Sequence, residues 1–148
     1  MRSPILLLFV IVTGCSSTQP FAGTPQDQAW FRHALSHPNE DHSYRQFFDA
    51  YHGNAPAVRS YFAEALKFCE SSEIYAEPSE SLSWTLQTLL HQLGDSRFAA
   101  ILATEPPRNQ SAVGDFLPNQ ALSAYPRTRT LLGSAPKIDF PLNKAYRG

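Results

Sequence analysis

The sequence predicts an all-α protein. Apolar residues recur at helical spacing in several segments, which places them on one face of each segment. Proline, glycine and short polar residues stand between these segments, where helices begin and end. No convincing strand pattern precedes residue 136. We therefore expect a small stack of short helices, followed by an extended, proline-containing C-terminal tail.

Three helices are predicted in the first half of the chain, each from a cap and an apolar face. Thr24, followed by Pro25 and Asp27, is typical of a capped helix start. The second helix is expected over about 41–51 and the third over about 54–69. The core-facing residues predicted for the three helices are Trp30, Phe31, Ala34 and Leu35, then Tyr44, Phe47, Phe48 and Tyr51, then Val58, Tyr61, Phe62, Ala65, Leu66 and Cys69.

Three more helices are predicted before residue 118. The fourth is expected over about 79–93 and ends at Gly94. Asp95 is expected to cap the fifth, which stops before Pro106, and Asn109 to cap the sixth. The residues expected to face the core are Leu82, Leu86, Leu89, Leu90, Leu93, Phe98, Ile101, Leu102, Val113, Phe116 and Leu117.

Two stretches resemble helical repeats of the HEAT type. The stretch NAPAVR at 54–59 resembles the second helix of such a repeat, and LLHQLGDSR at 89–97 resembles the turn into another. The resemblance implies an α-solenoid with a concave binding face. The two pieces do not keep the steady period of about 40 residues that such repeats show. An irregular helical bundle therefore stays open as the alternative.

A secretory leader is predicted at the start of the chain. Arg2 precedes an apolar run of eight residues over 5–12, whereas a membrane-spanning helix needs about 20. The sequence VTGC at 12–15 then resembles the lipobox of bacterial lipoproteins. The resemblance implies that residues 1–14 are removed as a signal peptide and that Cys15 carries fatty acids. Two or more acyl chains anchor a protein stably, so a lipidated Cys15 replaces a membrane-spanning helix.

The lipobox resemblance also implies a location. Residues 15–23 become a short tether, so the domain stays close to the bilayer. Ser16 follows the cysteine, and a residue other than aspartate at that place implies an outer-membrane anchor that faces the periplasm. We expect a helical domain over 24–117 and a basic tail over 118–148 that packs on it.

Charge is unevenly distributed between these parts. Residues 15–117 contain 6 basic and 12 acidic residues, whereas residues 118–148 contain 5 basic residues and 1 acidic residue. The formal net charge of the chain is only −1, which does not favour nucleic acid as a partner. A patch of acidic residues can attract a protein partner with a basic surface. The simpler interpretation is a solvated loop before a helix. The densest acidic segment, which is our candidate partner-binding surface, contains Glu70, Glu73, Glu77 and Glu80.

Residues with catalytic or metal-binding chemistry are few. His33 and His37 have a spacing that could form a zinc site, which His42 with Glu40 or Asp41 could complete, but no HExxH motif is present and Pro38 follows the second histidine. We expect these histidines to face solvent and assign no metal or cofactor. Cys69 lies on an apolar helix face, where a thiol packs as a small hydrophobic group. With no phosphate loop or nucleophile elbow either, we expect a protein that is not an enzyme.

These observations favour a non-enzymatic, lipid-anchored protein-binding module of the periplasm. An immunity protein that neutralises a toxin delivered to the periplasm fits this description. One alternative is a structural or assembly lipoprotein of an outer-membrane machine. Another is a metal-dependent enzyme that uses His33, His37 and His42. The oligomeric state is left open.

Overall fold

The computed structural model describes residues 21–71 and 76–142, with the backbone alone for 76–78. Within these ranges every regular element is a helix, so the predicted all-α class is confirmed. The signal peptide, Cys15 and most of the tether lie outside the described residues, as do Glu73, the Glu77 side chain and the last six residues. The helices are α1 (Pro25–Ser36), α2 (His42–Tyr51), α3 (Ala55–Glu70), α4 (Ala76–Leu93), α5 (Asp95–Ala103), α6 (Pro107–Phe116), α7 (Asn119–Leu122) and α8 (Pro126–Ser134).

The first three helices begin where the sequence predicts, each after a capping side chain. Thr24 and Asp27 form a capping box at α1, in which Thr24 Oγ1 accepts a hydrogen bond from the Asp27 amide at 3.2 Å. In return, Asp27 Oδ2 accepts one from the Thr24 amide at 2.9 Å. Asp41 caps α2 by accepting a bond of 2.7 Å from the amide two residues later. Asn54 caps α3 in the same way, at 3.0 Å from the amide three residues later.

Two later helices begin earlier than the sequence predicts. The α4 helix begins at Ala76, three residues before the predicted start. The α6 helix begins at Pro107, because proline suits the first helical position, where its missing amide hydrogen leaves no bond unmade. Asn109 therefore does not cap this helix. Its side-chain amide instead donates a hydrogen bond to Glu105 Oε2 at 2.9 Å.

Helix α3 lies at the centre of the molecule. It contacts α2, α4, α5 and α6, and its core-facing residues are buried. The Phe62 ring meets the Phe98 ring of α5 edge to face, with 5.3 Å between centroids. This arrangement is compatible with a small helical stack or a bundle. The buried residues of α3 are Val58, Tyr61, Phe62, Ala65 and Cys69.

An aromatic layer joins α1 to α2. Phe31 and Phe47, both buried, stack with 4.9 Å between ring centroids. Trp30 meets the edge of Tyr44 at 5.5 Å, and Phe21, just before α1, packs on Phe31 at 5.6 Å. Rings of this size bury much apolar area and also attract each other in these orientations. The first two helices are thus held by side chains that the sequence places on their apolar faces.

The C-terminal region is more helical than the sequence predicts. The predicted tail over 118–148 contains α7 and α8, and its described residues 135–140 have no regular secondary structure. Two residues of this region, Phe140 and Leu142, are buried in the core. The guanidinium carbon of Arg108 lies 5.1 Å from the centroid of the Phe140 ring, a cation–π contact.

Asp95 explains why α8 forms. It was expected to cap α5, but Gly94 occupies that cap and Asp95 is the first residue of α5. Its carboxylate instead accepts hydrogen bonds of 2.8 Å from the amides of Arg127 and Thr128, in the first turn of α8. Burial raises the pKa of the Asp95 carboxyl, but the bonds from the Thr128 and Arg127 amides outweigh it, so the pKa lies below its usual value. A side chain of one helix thus caps another.

We predict that Asp95→Asn weakens the attachment of α8. A lowered pKa in the folded protein means that the ionised carboxylate stabilises the fold above the unfolded-state pKa and ceases to do so as pH falls through the folded-state pKa. At neutral pH the substitution should lower the free energy of unfolding by about 1 kcal/mol, because asparagine has one acceptor oxygen in place of two and loses one of the two hydrogen bonds. Urea denaturation across acidic to neutral pH measures this.

The control is Asp49→Asn, since Asp49 makes only a loose pair with Arg45 at 3.9 Å. The difference in the free energy of unfolding between wild type and Asp95→Asn should shrink as the solution becomes acidic. The free energy of unfolding of Asp49→Asn should stay close to that of wild type at every pH. A difference for Asp95→Asn that is absent, or independent of pH, contradicts the cap.

Candidate binding groove

The four acidic residues predicted as a partner-binding surface do not behave alike. Glu70 ends α3, and its Oε1 accepts a hydrogen bond from Arg108 Nε at 2.7 Å. The negative charge of Glu70 is therefore paired with the positive charge of Arg108 in the same chain. Glu80 lies on the first half of α4 and is exposed. Glu73 and the Glu77 side chain lie outside the described residues. Of the predicted set, Glu80 is the residue that the structure places in a cavity.

That cavity is a groove between the start of α1 and the first half of α4. Its volume is about 360 Å³, which lies at the small end of the usual range for ligand sites. Both walls are helical, so the lining side chains are held by regular backbone. The residues that line this α1–α4 groove are Thr24, Gln26, Asp27, Trp30, Phe31, Glu80, Ser81, Trp84 and Thr85.

Both tryptophans of the chain line the α1–α4 groove. Trp30 comes from α1 and Trp84 from α4, and both are half-buried. The Trp30 ring makes edge-to-face contacts with the rings of Tyr44 and Phe47, each with 5.5 Å between ring centroids. An indole that is fixed on one side and partly open on the other is well suited to contact a ligand. Apolar spacing predicts Trp30 as a core residue and gives no connection with Trp84.

The segment before α1 fixes one wall of the groove. Phe21 packs on Phe31 of α1, and the Ala22 amide donates a hydrogen bond to Thr88 Oγ1 of α4 at 3.0 Å. Gly23 has φ +99°, and a Cβ atom there would lie 2.9 Å from Trp84 Cγ. Only glycine adopts this backbone conformation without strain, and only glycine leaves room for the indole. The segment Phe21–Gly23 therefore bridges the two helices that form the groove.

The groove carries negative charge. Asp27 Oδ2 is held by the Thr24 amide and by Thr24 Oγ1, at 2.9 and 2.5 Å, so its carboxylate is fixed at the start of α1. Glu80 contributes a second carboxylate. Among the described residues that line the groove, none is lysine or arginine. A concave surface with two carboxylates and no cation favours a positively charged ligand.

Cys69 lies in the core, as the sequence predicts. Its side chain is fully buried, and Sγ lies 3.9 Å from the Ala112 carbonyl oxygen. Burial, with the nearby Asp115 carboxylate, raises the pKa of the Cys69 thiol to about 12. Because the nucleophile is the thiolate, a thiol in this state reacts slowly.

The structure pairs His33 with Glu40, a choice that the sequence left open between Glu40 and Asp41. His33 lies in the last turn of α1 and His37 follows the helix directly as its C-cap, and their rings stack with 4.5 Å between centroids. Glu40, in the connection to α2, has its Oε2 2.9 Å from His33 Nε2. His42, the third histidine of the predicted cluster, does not belong to the group of metal-ligating atoms that the structure brings together, whereas Glu40 does.

No protein-family model, curated protein or solved structure matches this chain. In the described part of the chain, no helix has both the length and the apolar character needed to cross a membrane. The chemistry of the groove is that of its own lining: two indole rings, two carboxylates and several hydroxyl groups.

We predict that Cys69 resists alkylation in the folded protein. Iodoacetamide should modify it far more slowly than it modifies a cysteine placed at Ser60, an exposed position on the same helix. Mass spectrometry of the Cys69 peptide gives the rate and keeps it separate from any reaction at Cys15. Equal rates for Cys69 and Ser60→Cys would show that the thiol is accessible.

We predict that Gly23→Ala both destabilises the fold and disturbs the groove. The left-handed backbone alone costs an alanine about 1 kcal/mol or more, and its Cβ atom would displace Trp84. Urea denaturation and tryptophan fluorescence measure the two effects. Gly133→Ala is the matched control, because a Cβ atom there meets nothing within 4 Å and alanine suits the interior of α8. Unchanged stability and fluorescence in Gly23→Ala would contradict the bridging role of the segment.

Proposed function

We propose that this protein is a non-enzymatic, lipid-anchored binding protein of the bacterial envelope, and that its α1–α4 groove receives a cationic side chain of a protein partner. The observation that carries the proposal is that both tryptophans line one groove with Asp27 and Glu80. Sequence alone supplies the envelope location, through the lipobox resemblance at Cys15.

The lining suits an arginine or a lysine. A cation over an indole face is attracted by the negative charge of the π system, more strongly where water is excluded. The planar guanidinium of arginine can stack on an indole and donate hydrogen bonds to a carboxylate at its edge. Trp30 or Trp84 would supply the face, and Asp27 or Glu80 the acceptor. Tryptophan and arginine are also the residues that contribute most strongly to protein interfaces.

The size of the groove favours a side chain as its occupant. A volume of about 360 Å³ has room for one or two side chains, and the mouth lies on an exposed helical surface. A partner would then add affinity through the surrounding surface, as interfaces do around a central anchor. Side-chain insertion is thus the mode of binding that we propose.

The tether places this encounter near the membrane. Ala22, which is hydrogen-bonded to α4, comes seven residues after Cys15, and this length of chain spans at most about 25 Å. If Cys15 is lipidated, this length of chain keeps Ala22, next to the groove, within about 25 Å of the anchored cysteine. The partner would therefore be a protein that enters or crosses the periplasm close to the anchoring membrane.

Within this class, an immunity protein is the form that we propose. A small acidic domain with an anchored aromatic groove can cover the basic site of a toxin delivered to the periplasm, and charge complementarity would speed their association. A structural or assembly lipoprotein is the alternative. The two differ in what is captured: one small soluble protein in the first case, several subunits of an envelope machine in the second.

Site-specific crosslinking in cells tests the proposal. A photoreactive amino acid replaces Ser81, which lines the groove, or Ser60, which is exposed on α3 away from it. We expect the Ser81 position to capture one small basic protein and the Ser60 position to capture none. Capture of several subunits would support the assembly lipoprotein instead. Equal capture at both positions contradicts the groove as the binding site.

We predict that groove substitutions weaken the captured partner's binding. Trp84→Ala should reduce its affinity by about tenfold or more, since tryptophan is a typical anchor residue. Glu80→Gln should slow association and make the rate less dependent on salt, because it removes a charge that steers the partner. Surface plasmon resonance at several salt concentrations measures both.

The matched control is Glu70→Gln, which removes the same charge from a residue paired with Arg108 outside the groove. It should leave the affinity and the association rate unchanged. If Glu70→Gln weakens binding as much as Glu80→Gln does, the partner is attracted by the overall negative charge of the protein. The groove is then not its binding site.

A further inference from the structure

The end of α1 and the turn after it bring three metal-ligating side chains together. One ligand atom each from His33, His37 and Glu40 lies within 4.8 Å of the other two. All three residues are exposed, and the side chains of His33 and Glu40 are 45% and 55% accessible. This cluster is separate from the residues that line the α1–α4 groove.

The local backbone holds the cluster in place. The two histidines are four residues apart, His33 in the last turn of α1 and His37 at its C-cap, and their rings stack on each other. The helix ends at Ser36, and the His37 amide still donates to the His33 carbonyl oxygen at 2.8 Å. The Glu40 amide then donates to the His37 carbonyl oxygen at 3.2 Å, which closes a turn and returns the carboxylate toward α1. The ring of Tyr44 also meets His33 edge to face, at 5.2 Å.

The distances are close to those that a metal ion needs. Zinc binds histidine nitrogen and carboxylate oxygen at about 2.0–2.2 Å, which puts tetrahedral ligand atoms about 3.4 Å apart. His33 Nε2 and Glu40 Oε2 are already 2.9 Å apart. The third ligand atom, from His37, lies within 4.8 Å of both. Two imidazoles and one carboxylate form a ligand set that suits zinc, copper and nickel ions.

We propose that His33, His37 and Glu40 bind one divalent transition-metal ion, of the class represented by Zn²⁺ and Cu²⁺. Three ligands from one short segment leave at least one coordination position for water or for a donor from another molecule. The ion would also join the end of α1 to the connection with α2, so it stabilises the folded protein by mass action. This inference does not depend on the function proposed for the groove.

Titration of the full chain with Zn²⁺ by calorimetry tests the proposal. The chain is purified through a tag that contains no histidine. We expect saturable binding of one Zn²⁺ per chain, a rise in melting temperature with added Zn²⁺, and tighter binding of Cu²⁺ than of Zn²⁺. His37→Gln and Glu40→Gln should each weaken Zn²⁺ binding by about tenfold or more. All these side chains are exposed, so the variants should fold.

His42→Gln is the matched control. It removes a histidine of the same segment that does not belong to the cluster, and it should leave the affinity for Zn²⁺ unchanged. In NMR spectra, Zn²⁺ should shift the ring signals of His33 and His37 and leave those of His52 and His91 in place. The absence of saturable binding, or binding that His37→Gln and Glu40→Gln leave unchanged, would overturn the proposal. So would a loss of affinity in His42→Gln equal to that in His37→Gln.

Discussion

Burial of helix α3 is the constraint on which the rest of the structure depends. Its apolar face lies at the centre, and α2, α4, α5 and α6 each contact it. The aromatic layer of α1 and α2 covers one part of the bundle, and Phe98 of α5 meets Phe62 in another. Cys69, at the end of the same face, is buried with the other core residues and contributes packing. With one central helix, every other helix is oriented by what it must cover.

The α1–α4 groove follows from this arrangement together with the segment that precedes α1. Phe21 packs on α1 and Ala22 is hydrogen-bonded to α4, so the segment bridges the two helices. Gly23 then lets the chain turn beside Trp84, and the indole stays half-open. A site whose walls are fixed before a ligand arrives loses little entropy on binding. The function that we propose depends on this rigidity as much as on the two carboxylates.

Local signals account for what the sequence could predict. Helix starts at Thr24, Asp41 and Asn54 are set by capping side chains within three residues, and apolar spacing identified most of the core. Helix α8 was missed because its cap is Asp95, more than 30 residues earlier in the chain. The groove could not be predicted because Trp30 and Trp84, which line it together, are far apart in sequence. The pairing of Glu70 with Arg108 likewise depends on the tertiary structure. Of the residues that could complete the histidine cluster, Glu40 joins it and His42 does not, because a turn decides the position of Glu40. None of these pairings has a pattern that short-range periodicity can reveal.

The most direct test of this account uses the two tryptophans as reporters. The chain has 2 tryptophans, so the NMR spectrum of the ¹⁵N-labelled full chain contains two indole signals, both from the groove. The chain is titrated with a short arginine-containing peptide and, separately, with the same peptide carrying norleucine in place of arginine. We expect the arginine peptide to shift both indole signals along one saturable curve and the norleucine peptide to leave them in place. If the arginine peptide moves neither signal, or if both peptides move them equally, the groove does not recognise a cationic side chain.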